Sequence, residues 1–158
     1  MDATTFSSGR AAAPQPVPEA PKRATALNGR ILLVEDEEAV LEFERDVLQG
    51  AGAKVTSVTT TEQMKSVLEA QTFDALIING KMPGSGSVPE TRRWISENWA
   101  ELANHLIFTF SSLAEPEVRG FLEQNNVPFL VKPFEVGDLI ATARRLLLKT
   151  HSAAAGNS

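Results

Sequence analysis

The chain has 158 residues, no cysteine and a formal charge of −5. That length fits one domain with tails, large enough to bury a core without covalent staples, and the missing thiols exclude disulfides, thiolate metal sites and a cysteine nucleophile. The mild acidity argues against a nucleic-acid or anionic-membrane surface, no apolar run approaches the ~20 residues that span a bilayer, and no cationic segment leads into an apolar one as in a signal peptide, so a cytoplasmic domain is expected.

Residues 1–28 stand apart. Their stretch Ala11-Ala-Ala-Pro-Gln-Pro-Val-Pro-Glu-Ala-Pro21 alternates proline with small residues and has no apolar period, which predicts a disordered, extended linker. From there short apolar runs alternate with amphipathic stretches. Ile31–Val34 reads as a strand buried on both faces. Glu37–Gln49 places Val40, Leu41, Val47 and Leu48 at helical spacing, closed by Gly50 and Gly52. Lys54–Val58 is a second strand, and Thr61–Ala70 a helix capped by Thr60 or Thr61. Ala75–Ile78 is a third strand, Pro89–Trp99 a helix with proline in its first turn, and Leu106–Phe110 a fourth strand. Glu115–Gln124 is a fourth helix, Pro128–Val131 a fifth strand, and Val136–Leu148 a last helix. The domain is expected over residues 29–150, with a disordered tail over 151–158. Five strands alternating with five helices predict an α/β fold with a parallel, doubly wound sheet.

Such sheets place their chemistry beyond the carboxyl ends of the strands. The first strand ends in Glu35-Asp36-Glu37-Glu38. Carboxylates there suit a hard cation such as Mg²⁺, with Glu35 and Asp36 the candidates; Glu37 and Glu38 are explained by the positive N-terminus of the following helix. The same acids would repel a phosphate cofactor, which needs a glycine-rich turn instead. The third strand runs into Asn79-Gly-Lys-Met-Pro-Gly84 and the fifth into Lys132-Pro-Phe134. Lys132 is either a solvated charge or a cation turned toward the acids, and the bond to Pro133 is either cis or trans. Trp94 and Trp99 are spaced too far apart to share one helical face, so one is expected in the core and the other partly exposed.

Taken in order, Leu33-Val-Glu-Asp-Glu37, Asn79-Gly-Lys-Met-Pro-Gly84 and Lys132-Pro-Phe134 resemble the response-regulator receiver family of two-component systems, over about Gly29 to Lys149. The resemblance implies a flavodoxin-like (CheY-like) fold of five strands and five helices. It implies a Mg²⁺ site from Glu35, Asp36, the residue at 79 and the backbone carbonyl of Lys81. Lys132 would pair with a phosphoryl group, and Phe129 would hold the position of the aromatic switch residue. The implied partner is a histidine kinase or phosphotransfer protein. A homodimer through helix four, strand five and helix five is a further expected use of the fold.

The chain departs from the family at two positions. The phosphoacceptor aspartate is replaced by Asn79, whose uncharged carboxamide is a poor nucleophile and a weaker cation ligand, so Mg²⁺ is expected to bind weakly or not at all. Counting back from Lys132 puts Phe110 where the family carries a switch hydroxyl. Thr109 lies one step away, on the opposite face of a strand, while Ser111 and Ser112 would need the loop to shift. These changes point to a degenerate, phosphorylation-independent interaction module rather than an enzyme, with no catalytic residue of its own. An otherwise competent receiver silenced by an Asp-to-Asn change is the alternative. A small Mg²⁺-dependent phosphatase on the same fold is a remoter one, since His105 and His151 stand alone. The proline-rich segment resembles the linker before the C-terminal receiver of a hybrid histidine kinase, although a free-standing protein fits equally. No helix-turn-helix remains to contact DNA.

Overall fold

A computed structural model describes residues 26–84, 86–112 and 115–156, with side chains as far as Leu148. Residues 1–25 of the expected linker and 157–158 of the expected tail lie outside the described residues. The elements are β1 (Arg30–Val34), α1 (Glu38–Gly50), β2 (Lys54–Val58), α2 (Thr61–Ala70), β3 (Ala75–Asn79), α3 (Val88–Asn98), β4 (Leu106–Phe110), α4 (Pro116–Gln124), β5 (Phe129–Val131) and α5 (Val136–Gly156). A short 3₁₀ turn at Leu102–Asn104 precedes β4. The five strands form one parallel sheet in the order β2-β1-β3-β4-β5.

Side chains alternate across the pleat and divide the core in two. Leu32, Val34, Leu76, Ile78, Phe108 and Phe110 pack with Met64 and Leu68 of α2, Ile95 of α3 and Leu122 of α4. Ile31, Leu33, Ala75, Ile77 and Ile107 pack with Leu41 and Leu48 of α1 and with Leu139, Ala143 and Leu146 of α5. Helices on both faces follow from parallel strands joined by crossovers of one hand.

Local signals explain most boundaries. Thr60, not Thr61, caps α2, its hydroxyl accepting from Gln63 N at 3.1 Å. Ser87 and Glu90 close a capping box on α3: Ser87 Oγ accepts from Glu90 N at 3.2 Å, and Glu90 Oε1 accepts from Ser87 N at 2.9 Å. After α1, Gly52 adopts φ +111°, a left-handed conformation that turns the chain into β2.

Three local readings change. Leu27, which composition assigns to the linker, is buried in the α1–α5 core and donates its N–H to Ala51 O at 2.8 Å. Helix α5 continues through the Ala153-Ala-Ala155 run to Gly156, as alanine's helix propensity favours. The two tryptophans meet: α3 stops at Asn98, Trp99 takes a non-helical conformation (φ −141°, ψ 72°), and the rings stand edge to face with centroids 5.1 Å apart. Helical spacing does not govern Trp99, because it lies beyond the helix.

Candidate functional site

The carboxyl ends of β1, β3 and β5 bring four of the singled-out side chains together. Glu35 follows β1, Asn79 ends β3 and Lys132 follows β5, with the Lys132–Pro133 bond cis. Glu35 is 1 % exposed, yet three donors meet its carboxylate. Lys132 Nζ donates to Oε1 at 3.0 Å, while Asn79 Nδ2 and Glu37 N both donate to Oε2 at 3.1 Å. A buried carboxylate that has lost its water partners needs donors of this kind on its oxygens. The Glu37 N–H lies at the start of α1, so Glu35 also meets a backbone donor that the helix leaves open.

Asn79 holds the centre. Its Nδ2 also donates to Asp36 Oδ1 at 2.8 Å, and its Oδ1 accepts from Lys81 N at 3.3 Å. Lys81 therefore meets Asn79 through its N–H, and its exposed ammonium lies 3.5 Å from Glu115 Oε2.

Phe110 and Phe129 are not in this cluster. Phe110 turns to the other face of the sheet, 1 % exposed, and its ring stands edge to face with Phe129 at 6.4 Å and tilted to Phe108 at 6.3 Å. It lies against Gly80: a Cβ there would sit 2.2 Å from Phe110 Cε1, so only glycine fits beneath the ring. Thr109 is the in-register neighbour of Asn79, but it is 1 % exposed and its Oγ1 has no hydrogen-bond partner among the described residues. Ser111 and Ser112 are exposed.

The residue that pattern reading missed is Glu44. It lies on α1 between Leu41 and Leu48, at spacings of three and four that mark the apolar stripe, and it is buried with them. An acid at that register was the available signal. Its Oε2 has no hydrogen-bond partner among the described residues. Burial pushes its carboxyl from about 4.5 up to about 8; the charge of Glu35 adds to the rise and that of Lys132 opposes it. Between those values the folded chain keeps a proton that the unfolded chain has released. Stability is therefore expected to fall as pH rises from about 4.5 to about 8 and to level off above, with a slope from this group of at most about 1.4 kcal/mol per pH unit. Glu44→Gln keeps the shape and removes the titration. Its thermal midpoint, followed from pH 5 to about 8.5, is expected to decline less than that of the original chain; an unchanged slope would place the effect elsewhere.

The side chains here are poorly suited to a divalent cation. The carboxamide N–H groups point at both members of the acid pair, putting a donor where a cation would need acceptors facing it. Among the described residues no three carboxylate or imidazole side chains converge on a common point.

Comparison with known proteins identifies the family and agrees with the fold. The family described as response regulator receiver domain matches residues 31–144. The chain is 30 % identical over 128 residues to the KDP operon transcriptional regulatory protein KdpE of Escherichia coli, covering 78 % of this chain and 52 % of KdpE. It is 26 % identical over 133 residues to the sensory/regulatory protein RpfC of Xanthomonas campestris, covering 84 % of this chain and 18 % of RpfC. It thus spans about half or less of these curated relatives. Among solved structures, the signal receiver domain of a Luxo repressor protein from Vibrio parahaemolyticus superposes with a TM-score of 0.70 at 20 % identity, over 84 % of this chain and 99 % of that one. The CheY-like receiver domain protein of Methanospirillum hungatei superposes with a TM-score of 0.69 at 20 % identity, over 78 % and 97 %.

Proposed function

Because this chain belongs to the response regulator receiver family, the signalling modules of two-component systems, we propose that it works as a pseudo-receiver, which docks partners by a fixed shape and takes no phosphoryl group. The observation that carries this reading is Asn79. Its side chain stands at the acceptor position as a hydrogen-bond donor to Glu35 and Asp36, whereas phosphoryl acceptance needs an anionic nucleophile.

Phe110 packs on the opposite face, over Gly80 and against Phe129, while the hydroxyl beside the acceptor position is that of Thr109, the in-register neighbour of Asn79. Divalent-cation binding is weak in this reading, and Lys132 serves the buried ion pair. The partner is a histidine kinase or phosphotransfer protein, the setting is cytoplasmic, and the chain neither contacts nucleic acid nor enters a membrane. Among the described residues no helix is long and apolar enough to cross one. The face formed by α4, β5 and α5 is the docking surface, also for a second copy of the chain; Val131 and Val136 expose 41 % and 47 % of their surface there.

Backbone amide spectra recorded with and without a small phosphodonor and Mg²⁺ test this. The expected result is unchanged resonances across α4, β5 and α5. A concerted shift of that face would mean that the domain still switches.

A further inference from the structure

We infer that the Asn79 carboxamide is a built-in substitute for the divalent cation of a receiver pocket, so that the acid pair of this chain is held together without metal. The inference deepens the pseudo-receiver reading and rests on it for the identity of the pocket, but it concerns a separate property.

The geometry is that of a bridge. Two carboxylates at the end of one strand repel each other and need a positive group between them. Asn79 Nδ2 lies 3.1 Å from Glu35 Oε2 and 2.8 Å from Asp36 Oδ1, one amide hydrogen for each acid. The amide cannot be turned round. Its Oδ1 accepts from Lys81 N, and a flip would set that oxygen against two carboxylates and the NH₂ group against a backbone donor.

Lys132 completes the arrangement from the other side of Glu35, on Oε1 at 3.0 Å. The two acids thus carry two negative charges against one lysine charge and the amide dipole. An aspartate at 79 would add a third negative charge and withdraw both donors. The buried Glu44, whose carboxyl already responds to the charge of Glu35, would have a more negative neighbourhood. The pocket of this chain is therefore balanced for asparagine.

The test uses the full chain and its Asn79→Asp and Asn79→Ala variants, each melted in excess EDTA and in excess Mg²⁺. The original chain is expected to melt at the same temperature in both. Asn79→Asp is expected to melt lower in EDTA, by more than about 4 °C, and to recover with Mg²⁺. Asn79→Ala, which loses the bridge without adding charge, is expected to lie between them in EDTA. An original chain raised by Mg²⁺ as much as Asn79→Asp, or an Asn79→Asp variant as stable in EDTA as the original, would overturn the inference.

Should Asn79→Asp not fold without metal, the original chain still decides the matter. Its Asn79 side-chain amide protons are expected to exchange slowly with solvent and to keep their resonances when Mg²⁺ is added; fast exchange, or a shift on adding Mg²⁺, would refute the bridge. These readouts are independent of phosphorylation. Covalent labelling of the original chain would sink the pseudo-receiver reading while leaving the melting result in force.

Discussion

Phe110→Ala is expected to destabilise the domain by about 3–5 kcal/mol, among the largest losses available to a single core substitution. Phe110 is 1 % exposed, packed between Phe108 and Phe129, and its ring lies over a residue with no side chain to fill the space left behind. The sharper form of the prediction is a pair. A Cβ on Gly80 would lie 2.2 Å from Phe110 Cε1 and 2.7 Å from Cδ1 and Cζ, and the ring is held by two aromatic neighbours, so it cannot swing aside. Gly80→Ala alone is therefore expected to cost at least about 1–3 kcal/mol through overpacking. In a Phe110→Thr background the same change is expected to be close to neutral, a coupling of more than about 1 kcal/mol for two residues in contact. Urea midpoints of the four proteins measure it. Strictly additive costs would mean that Gly80 and Phe110 do not share one volume. If they do share it, the phenylalanine is an integral part of this sheet end and Gly80 is fitted to it.

The second large effect concerns Lys132. Replacing it by methionine keeps the apolar stem and removes the charge opposite Glu35, a residue 1 % exposed. Losing one partner of a buried pair costs about 3–5 kcal/mol, because the remaining charge keeps its desolvation penalty. Glu35→Gln in the Lys132→Met background is expected to recover part of the loss, since it replaces the uncompensated charge with a neutral amide. Denaturant unfolding of the two singles and the double variant gives the coupling directly. A Lys132→Met variant as stable as the original would show the pair to be a solvated surface contact.

How much of this was legible in the sequence depended on the range of the interaction. Ile31–Val34, Ala75–Ile78 and Leu106–Phe110 are runs too short and apolar for surface helices, and their alternation with amphipathic segments allows few architectures besides the parallel sheet observed. Glu35, Asp36, Asn79 and Lys132 were legible as a set because strand ends are where such sheets gather polar groups. Their hydrogen bonds were not legible, since these link residues 43 to 97 positions apart.

Pattern reading also valued Phe110 only as a missing hydroxyl. What the ring does, filling the space over Gly80 and bracing Phe129, depends on three elements packed together. Glu44 was passed over for a different reason: an acid on an amphipathic helix is assigned by habit to the wet face, although Leu41 and Leu48 set it on the dry one. The tryptophan pair was misjudged because helical spacing was carried one residue past the end of α3.

The most direct test of the whole account is the intact mass of the chain after incubation with acetyl phosphate and Mg²⁺, beside the Asn79→Asp variant treated in the same way. The account predicts that the original chain keeps its mass; a phosphoryl group gained by Asn79→Asp alone would mean that Glu35, Asp36 and Lys132 still form a competent pocket that Asn79 alone silences. A phosphoryl group on the original chain would contradict it.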